Sequence, residues 1–157
     1  MKGMLSLLLE NQGKGSFASA ADKGGPFFQR QLNLRGSGAF DFDNDGRMDL
    51  IASSLGDRAV LLHNRGASSG HWLTVKLVGT RSNRDGFGAQ VKVVAGARSW
   101  QAEARCPTSY VFQQDPRLHF GLGAAATIDR IEIRWPSGQT QTVANPVVDQ
   151  VVRIQEP

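Results

Sequence analysis

The chain has few of the features that build cross-linked or membrane-anchored proteins. It contains one cysteine, Cys106, so no disulfide can form within its 157 residues. No histidine lies close to Cys106 in the sequence, and we interpret it as a small packed residue rather than a catalytic thiol. The apolar run after Met1 stops at Glu10, too early for a secretory signal, and predicts a strand. No run approaches the roughly 18 apolar residues of a transmembrane helix, so we expect no membrane span.

The chain also lacks a cluster of basic residues, although its formal net charge is +4. Proteins that bind nucleic acids usually carry their basic residues on one face. Here the arginines are scattered along the sequence, as at Arg81, Arg98, Arg117 and Arg134. We therefore expect no nucleic-acid partner, and we interpret the scattered arginines as part of a solvated surface.

Negative charge, by contrast, is concentrated in one short segment, GAFDFDNDGRMDLI at residues 38–51. Like charges this close repel one another, so the segment predicts a neutralising cation. A metal-free turn is the alternative, because Asp, Asn and Gly are common turn residues. A turn needs one or two of them, however, and not four aspartates at alternate positions. The pattern consists of Asp41, Asp43, Asp45, Gly46 and Asp49, at positions 1, 3, 5, 6 and 9 of the loop.

The spacing favours calcium, which takes about 6–8 oxygen ligands. Magnesium fits less well, because it accepts fewer protein ligands and keeps its waters. The loop is not an EF-hand, since Ala52 stands at position 12, where a bidentate glutamate is required. Its flanking segments predict a strand before it, and a strand, a turn at Gly56 and another strand after it. The predicted ligands are the side chains of Asp41, Asp43, Asp45 and Asp49 and the backbone carbonyl of Arg47.

Two segments share a Leu-Leu-x-Asn-x-Gly frame, one beginning at Leu8 and the other 53 residues later at Leu61. Repeats of about 40–50 residues are typical of β-propeller blades. In the second copy the acidic loop begins 23 residues before Asn64, and the matching loop of the first copy would lie upstream of Met1. We therefore expect a chain that begins inside a repeat and is a C-terminal piece of a longer protein. A complete small protein with a degenerate first repeat is the alternative.

From Leu73 onward, short segments alternate between apolar and polar residues, which is the period of half-buried strands. Turn residues at Gly96 and at Pro136, Ser137 and Gly138 separate pairs of these segments. No long segment has helical periodicity. We predict an all-β chain whose second half is an antiparallel β-sandwich or a small barrel. The predicted strands cover residues 73–77, 90–93, 99–104, 131–135, 139–143 and 151–154.

Residues 38–50 resemble the calcium loop of an FG-GAP (VCBS-type) repeat, the blade unit of integrin-like β-propellers. Residues 71–156 resemble the ASPIC/UnbV domain, and the two in this order are similar to the C-terminal end of cartilage-acidic-protein-like proteins. The resemblance places an incomplete repeat region at 1–66, with its calcium loop at 41–49, and an ASPIC/UnbV domain at 71–157. The blocks that carry the second resemblance are residues 71–73, 79–89, 117–123 and 131–138.

The family implies a propeller with calcium in its loops and an extracellular, periplasmic or cell-surface location. It also implies a binding or adhesion role, and no catalytic residues come with it. A propeller closes with about 4–8 blades, so this chain alone cannot build one, and we expect its upstream blades to be missing. The leading hypothesis is a non-catalytic, calcium-stabilised module whose partner is an unknown protein or glycan.

Two alternatives involve glycans. A glycan-acting hydrolase needs two carboxylates across a cleft, and the second half offers Asp85, Glu103, Asp115 and Asp129 without a motif behind them. A carbohydrate-binding module could stack sugars on tryptophan side chains, but aromatic residues on alternating strands are more often core. We expect at least two of the three tryptophans to be core. The three are Trp72, Trp100 and Trp135.

The histidines give no sign of a zinc site, because His63, His71 and His119 lack the spacing of zinc ligands. We expect His119, between Leu118 and Phe120, to be a partly buried strand residue with a backbone hydrogen-bond partner.

Overall fold

The computed structural model describes residues 3–67, 70–105 and 112–157. The described chain is all-β, as predicted, and its one helical element is a short 3-10 helix at Pro26–Gln29. Cys106 and the interpretation given to it lie outside these residues. No helix in the described ranges is long and apolar enough to cross a membrane.

The described residues form fourteen strands, seven in each half of the chain. The first seven are β1 (Met4–Leu5), β2 (Leu9–Gly13), β3 (Ser16–Ser19), β4 (Gln31–Leu32), β5 (Leu34–Phe40), β6 (Asp49–Ser54) and β7 (Val60–Leu62). The other seven are β8 (His71–Val78), β9 (Gln90–Ala95), β10 (Arg98–Glu103), β11 (Leu118–Gly123), β12 (Arg130–Arg134), β13 (Thr140–Ala144) and β14 (Gln150–Gln155).

The second half is a β-sandwich of two sheets. One sheet has the strand order β10-β9-β12-β13, and the other has the order β11-β8-β14. Their inner faces share one core, in which Leu73 and Val75 of β8 cluster with Val91 and Val93 of β9 and Ile131 of β12. All five side chains are at most 1% exposed. The alternating patterns therefore bury one face of each sheet, as period-two strands must, and the described strands form a sandwich rather than a closed barrel.

The turns predicted from Gly and Pro are present at both hairpins. Antiparallel β9 and β10 are joined across Gly96, which has a φ of 56°. Antiparallel β12 and β13 are joined by a turn in which the Gly138 amide donates to the Trp135 carbonyl over 3.0 Å. Pro136 occupies the second position of this turn, where its fixed φ is favourable.

The last strand, β14, departs from a purely antiparallel sandwich. It pairs in parallel with β8, from Gln150 opposite Leu73 to Gln155 opposite Val78. Parallel pairing is possible because no hairpin joins β8 to β14: the chain leaves β13 in one sheet and crosses to the other sheet before β14 begins. Alternation in the sequence predicts which residues face the core, but it carries no information about the partner strand.

The first half contains the predicted strand–loop–strand arrangement. Strands β5, β6 and β7 form an antiparallel sheet, and residues 41–48 link β5 to β6. Each of the two Leu-Leu-x-Asn-x-Gly segments contains the same local hydrogen bond. Asn11 Oδ1 accepts from the Gly13 amide, and Asn64 Oδ1 accepts from the Gly66 amide. Strands β7 and β8 lie on either side of the proposed boundary, and the division at 1–66 and 71–157 stays a prediction.

Candidate metal centre

The acidic loop is held at both ends by the sheet. Phe40, the last residue of β5, pairs with Asp49, the first residue of β6. Asp41 follows directly, so the carboxylates of Asp41 and Asp49 begin next to each other at the base of the loop. Both are buried, with 3% and 1% of their surface exposed. A buried carboxylate needs hydrogen bonds or a cation to offset its desolvation.

Asp41 shapes the loop through its own backbone. Its Oδ1 accepts from the Asp45 amide over 3.0 Å, and its Oδ2 accepts from the Gly46 amide over 2.8 Å. The chain bends around this carboxylate because Asn44 and Gly46 have φ values of 58° and 86°. Such left-handed conformations favour glycine and are tolerated by asparagine, which explains the Asn-Asp-Gly sequence at the bend.

Asp49 joins three segments of the chain. Its Oδ2 accepts from the Phe42 amide over 3.2 Å, and its Oδ1 accepts from the Asn64 amide over 2.7 Å. The loop, β6 and the residues after β7 are thus fixed to one carboxylate. Each oxygen still has a lone pair for a cation, because a carboxylate offers about four acceptor sites in all.

Three of the predicted ligands converge on one position. One carboxylate oxygen from each of Asp41, Asp43 and Asp49 lies within 4.8 Å of the other two. Oxygens bound to a single calcium at about 2.3–2.6 Å can be up to roughly 5 Å apart. The three side chains therefore fit one divalent cation, and all three supply the hard oxygen ligands that calcium prefers.

The remaining predicted ligands, Asp45 and Arg47, contact each other. The Arg47 amide donates to Asp45 Oδ1 over 2.9 Å, and the Arg47 guanidinium pairs with Asp45 Oδ2. Arg47 Nε also donates to the Asn64 carbonyl over 2.8 Å. Asp45 thus shares its carboxylate with Arg47, and the roles of Asp45 and of the Arg47 carbonyl as ligands stay predictions.

His63 lies beside the acidic loop, although its position in the sequence did not indicate this. Its Nε2 lies 3.3 Å from Asp43 Oδ2, and His63, Asp43 and Asp45 offer ligand atoms within 4.8 Å of one another. This nitrogen is buried and forms no hydrogen bond of good geometry within the described part of the chain. The pairing of Leu62 with Leu50 places His63 beside Asp49, so only the hairpin register could have revealed it.

The acidic loop lies against the outer face of the sandwich. A Cβ at Gly46 would come within 2.2 Å of the Trp72 indole. From the segment before β11, Arg117 Nη1 donates to Asn44 Oδ1 over 2.6 Å and Nη2 donates to the Asp41 carbonyl over 3.1 Å. The interpretation of Arg117 as a solvated surface residue is therefore wrong, since only 22% of its side chain is exposed.

His119 lies on the same outer face. Its Nδ1 is 3.0 Å from Thr74 Oγ1, and its ring stacks on Trp72 with centroids 6.0 Å apart. Burial lowers the pKa of His119, although the nearby Asp41 charge acts in the opposite direction. The partner is thus a side chain and not the predicted backbone group, because the register of β8 and β11 sets His119 opposite Thr74.

The tryptophans are placed mostly as predicted. Trp135 and Trp72 are 1% and 9% exposed, and Trp100 packs partly buried against the sandwich core. Trp135 also donates through Nε1 to Gln141 Oε1 over 3.0 Å. The expectation that at least two of them are core is confirmed, and buried rings offer no face to a sugar.

The carboxylates considered for a hydrolase each have a partner within the protein. Three pair with an arginine one or two residues away, and the fourth accepts from a turn amide. These contacts are Asp85 with Arg84, Glu103 with Arg105, Asp115 with Arg117, and Asp129 with the Gly96 amide.

Comparison with known proteins supports the resemblance to the ASPIC/UnbV domain. The family model described as ASPIC and UnbV matches residues 79–157. Cartilage acidic protein 1 of Mus musculus is 30% identical over 133 residues, covering 78% of this chain. The proteins of the same name from Xenopus tropicalis and Homo sapiens are each 29% identical, over 130 and 133 residues. The chain spans about 20% of the length of these curated relatives.

Proposed function

The chain belongs to the ASPIC and UnbV family, and we propose that it is a non-catalytic, calcium-binding β module that mediates interactions outside the cytoplasm. The observation that carries the proposal is the convergence of Asp41, Asp43 and Asp49 within 4.8 Å at the base of a loop. All of the proposed ligands come from residues 41–49, so the ion would fix the loop's shape. Residues 38–50 resemble the calcium loop of an FG-GAP repeat, and we propose that they belong to one.

The location follows from the affinity expected of such a loop. Calcium sites of extracellular modules have dissociation constants of about 10⁻⁴–10⁻³ M. Such a site fills only where calcium is millimolar, which is the case outside cells and not in the cytoplasm. We therefore place the protein in an extracellular, periplasmic or cell-surface compartment. Its partner is a protein or a glycan.

Thermal unfolding in calcium and in chelator, together with calorimetric titration, tests the metal site. Calcium at 100 times its dissociation constant should add about 2.7 kcal/mol to the free energy of unfolding. We expect one ion per chain and a higher melting temperature in calcium than in chelator. No heat of binding and an unchanged melting temperature would contradict the proposal.

Replacing Asp43 with alanine tests the ligand assignment. The backbone bonds that shape the loop go to Asp41, Asp45 and Asp49, whereas Asp43 is exposed. Asp43→Ala should therefore abolish calcium binding in calorimetry while leaving the sandwich folded. Asp57→Ala, in the exposed turn between β6 and β7, is the matched control and should bind like the parent. Calcium affinity unchanged by Asp43→Ala would show that the ligand set is wrong.

A further inference from the structure

One side chain of the sandwich reaches into the acidic loop. Arg117 lies immediately before β11, yet it donates to Asn44 Oδ1 over 2.6 Å and to the Asp41 carbonyl over 3.1 Å. The partners of these two bonds are separated by 73 and 76 positions in the sequence. One bond holds the backbone of Asp41, a proposed ligand. The other holds Asn44, the residue of left-handed conformation that lies between two further proposed ligands.

Arg117 is itself held in place before it meets the loop. Its Nε donates to Asp115 Oδ2 over 2.7 Å, and its amide donates to Asp115 Oδ1 over 2.9 Å. The hydrogen bond that Arg117 donates to Asp115 raises the pKa of Arg117, and a guanidinium is charged in any case. Asp115 also offsets that charge, which reduces its repulsion of a cation bound nearby. The planar guanidinium is thus presented to the loop in a fixed orientation.

We propose that Arg117 is a positioning residue for the metal loop, supplied by the ASPIC and UnbV domain. This inference rests on the proposed calcium site. By fixing Asn44 and the Asp41 carbonyl, Arg117 holds the loop in the shape that brings the carboxylates together. Calcium binding and docking of the loop on the sandwich are then thermodynamically linked, and each strengthens the other by the same factor.

The positive charge of Arg117, taken alone, would have the opposite effect on calcium binding. A positive group close to a cation site weakens cation binding, so its removal should raise the affinity for calcium. Two substitutions separate charge from geometry. Arg117→Lys keeps the charge but loses the planar fork, whereas Arg117→Gln loses both. If Arg117 acts through geometry, both variants bind calcium more weakly. If it acts only through charge, Arg117→Lys binds like the parent and Arg117→Gln binds more tightly.

Calorimetric titration of the parent, Arg117→Lys, Arg117→Gln and Arg98→Gln with calcium chloride decides between them. Loss of residues that orient metal ligands typically costs about 10–100-fold in affinity, and we expect a loss of this size in both Arg117 variants. Arg98→Gln removes the same charge from an exposed position on β10, in the opposite sheet, and should bind like the parent. Parental or tighter binding by either Arg117 variant would overturn the inference.

A second measurement distinguishes positioning from a general loss of stability. If Arg117 merely stabilised the fold, its replacement would lower the melting temperature equally in calcium and in chelator. Positioning instead requires that the rise produced by a fixed calcium concentration shrink in both Arg117 variants, and an undiminished rise would overturn it. If the parent itself does not bind calcium, the proposed function fails and this inference fails with it. If the parent binds and the variants bind equally well, only the inference fails.

Discussion

At the scale of single residues, the most heavily hydrogen-bonded carboxylate in the described chain lies outside the acidic loop. Glu156, which directly follows β14, is buried with 2% of its surface exposed. Its Oε2 accepts from three successive amides, those of Thr80, Arg81 and Ser82, over 2.7–2.9 Å. Its Oε1 accepts from the hydroxyls of Ser82 and Ser137 over 2.7 and 2.6 Å. One side chain thus fastens β14 to the turn after β8 and to the turn after β12.

These bonds make Glu156 a source of acid sensitivity. Burial alone raises the pKa of Glu156, but the hydrogen bonds from Ser137, Ser82 and Thr80 outweigh it and lower the pKa to about 2. The folded pKa lies below the unfolded one, near 4.5, so ionised Glu156 stabilises the fold above pH 4.5. That stabilisation is lost as the pH falls from 4.5 toward 2.

We predict that Glu156→Gln lowers the free energy of unfolding at pH 7 and flattens its decline in acid. The side-chain amide of the introduced glutamine cannot accept all five hydrogen bonds, and it does not titrate. Urea unfolding between pH 2 and pH 7 measures both effects. Glu103→Gln, which removes an exposed carboxylate paired with Arg105, should leave the profile almost unchanged. An acid decline of parental slope in Glu156→Gln would show that other carboxylates dominate.

At the scale of elements, the first part of β8 is buried on both faces. Its inner residues Leu73 and Val75 enter the sandwich core, while its outer residues Trp72 and Thr74 are 9% and 3% exposed. The outer face is covered by the acidic loop, because Gly46 allows the Trp72 indole to approach its backbone. Docking of the loop on the sheet therefore depends on Gly46, because a side chain there would collide with the Trp72 indole.

Gly46→Ala should weaken this docking, and Gly56→Ala provides a matched control. Both glycines have positive φ, 86° and 76°, so alanine costs about 1–2 kcal/mol of backbone strain at either position. Only at Gly46 does the new Cβ meet another group, the Trp72 indole at 2.2 Å. Overpacking adds typically about 1–3 kcal/mol. Chemical denaturation should show the larger loss for Gly46→Ala, and equal losses would exclude the steric contribution.

Elements that depend on local sequence could be predicted, whereas contacts between distant segments could not. The alternation of residues 73–77 or 131–135 is local, and it indicated β8 and β12 correctly. The approach of Asp41, Asp43 and Asp49 to one another was predictable for the same reason, since all three lie within nine consecutive residues. Arg117, His63 and the parallel partner of β14 could not be predicted, because each depends on strand register and sheet packing between distant segments.

At the scale of the whole molecule, the buried apolar residues are distributed unevenly. Every member of the main core cluster lies between Leu73 and Ile154. Before residue 67, the buried hydrophobic residues within the described range are Ala20, Phe27, Phe28 and Ala52. Ten of the twelve exposed large hydrophobic side chains in the described chain also lie in this first part. Residues 3–67 thus bury little apolar surface, and apolar burial is the main source of folding free energy.

This imbalance predicts that the two parts unfold separately. It also predicts that calcium raises the hydrogen-exchange protection mainly of the first part. Local stability follows buried apolar contact, so amides of β5, β6 and β7 should exchange with solvent at lower denaturant than amides of β8, β9 and β12. If calcium binds as proposed, it binds only the folded loop, so it should raise the protection of β5 and β6 by its binding free energy. The sandwich strands should gain only the smaller part transmitted through Arg117 and Gly46.

Hydrogen exchange followed by mass spectrometry, across a denaturant series in calcium and in chelator, measures each part in one experiment. Asp43→Ala should show the chelator pattern in both conditions, because it removes a ligand and leaves the sandwich core intact. Exchange of all strands at a single denaturant concentration would contradict the prediction, since it would require the first part to share the stability of the sandwich. Equal gains in both parts on adding calcium would instead mean that the loop and sandwich form one cooperative unit, with docking stronger than the few buried residues before residue 67 can explain.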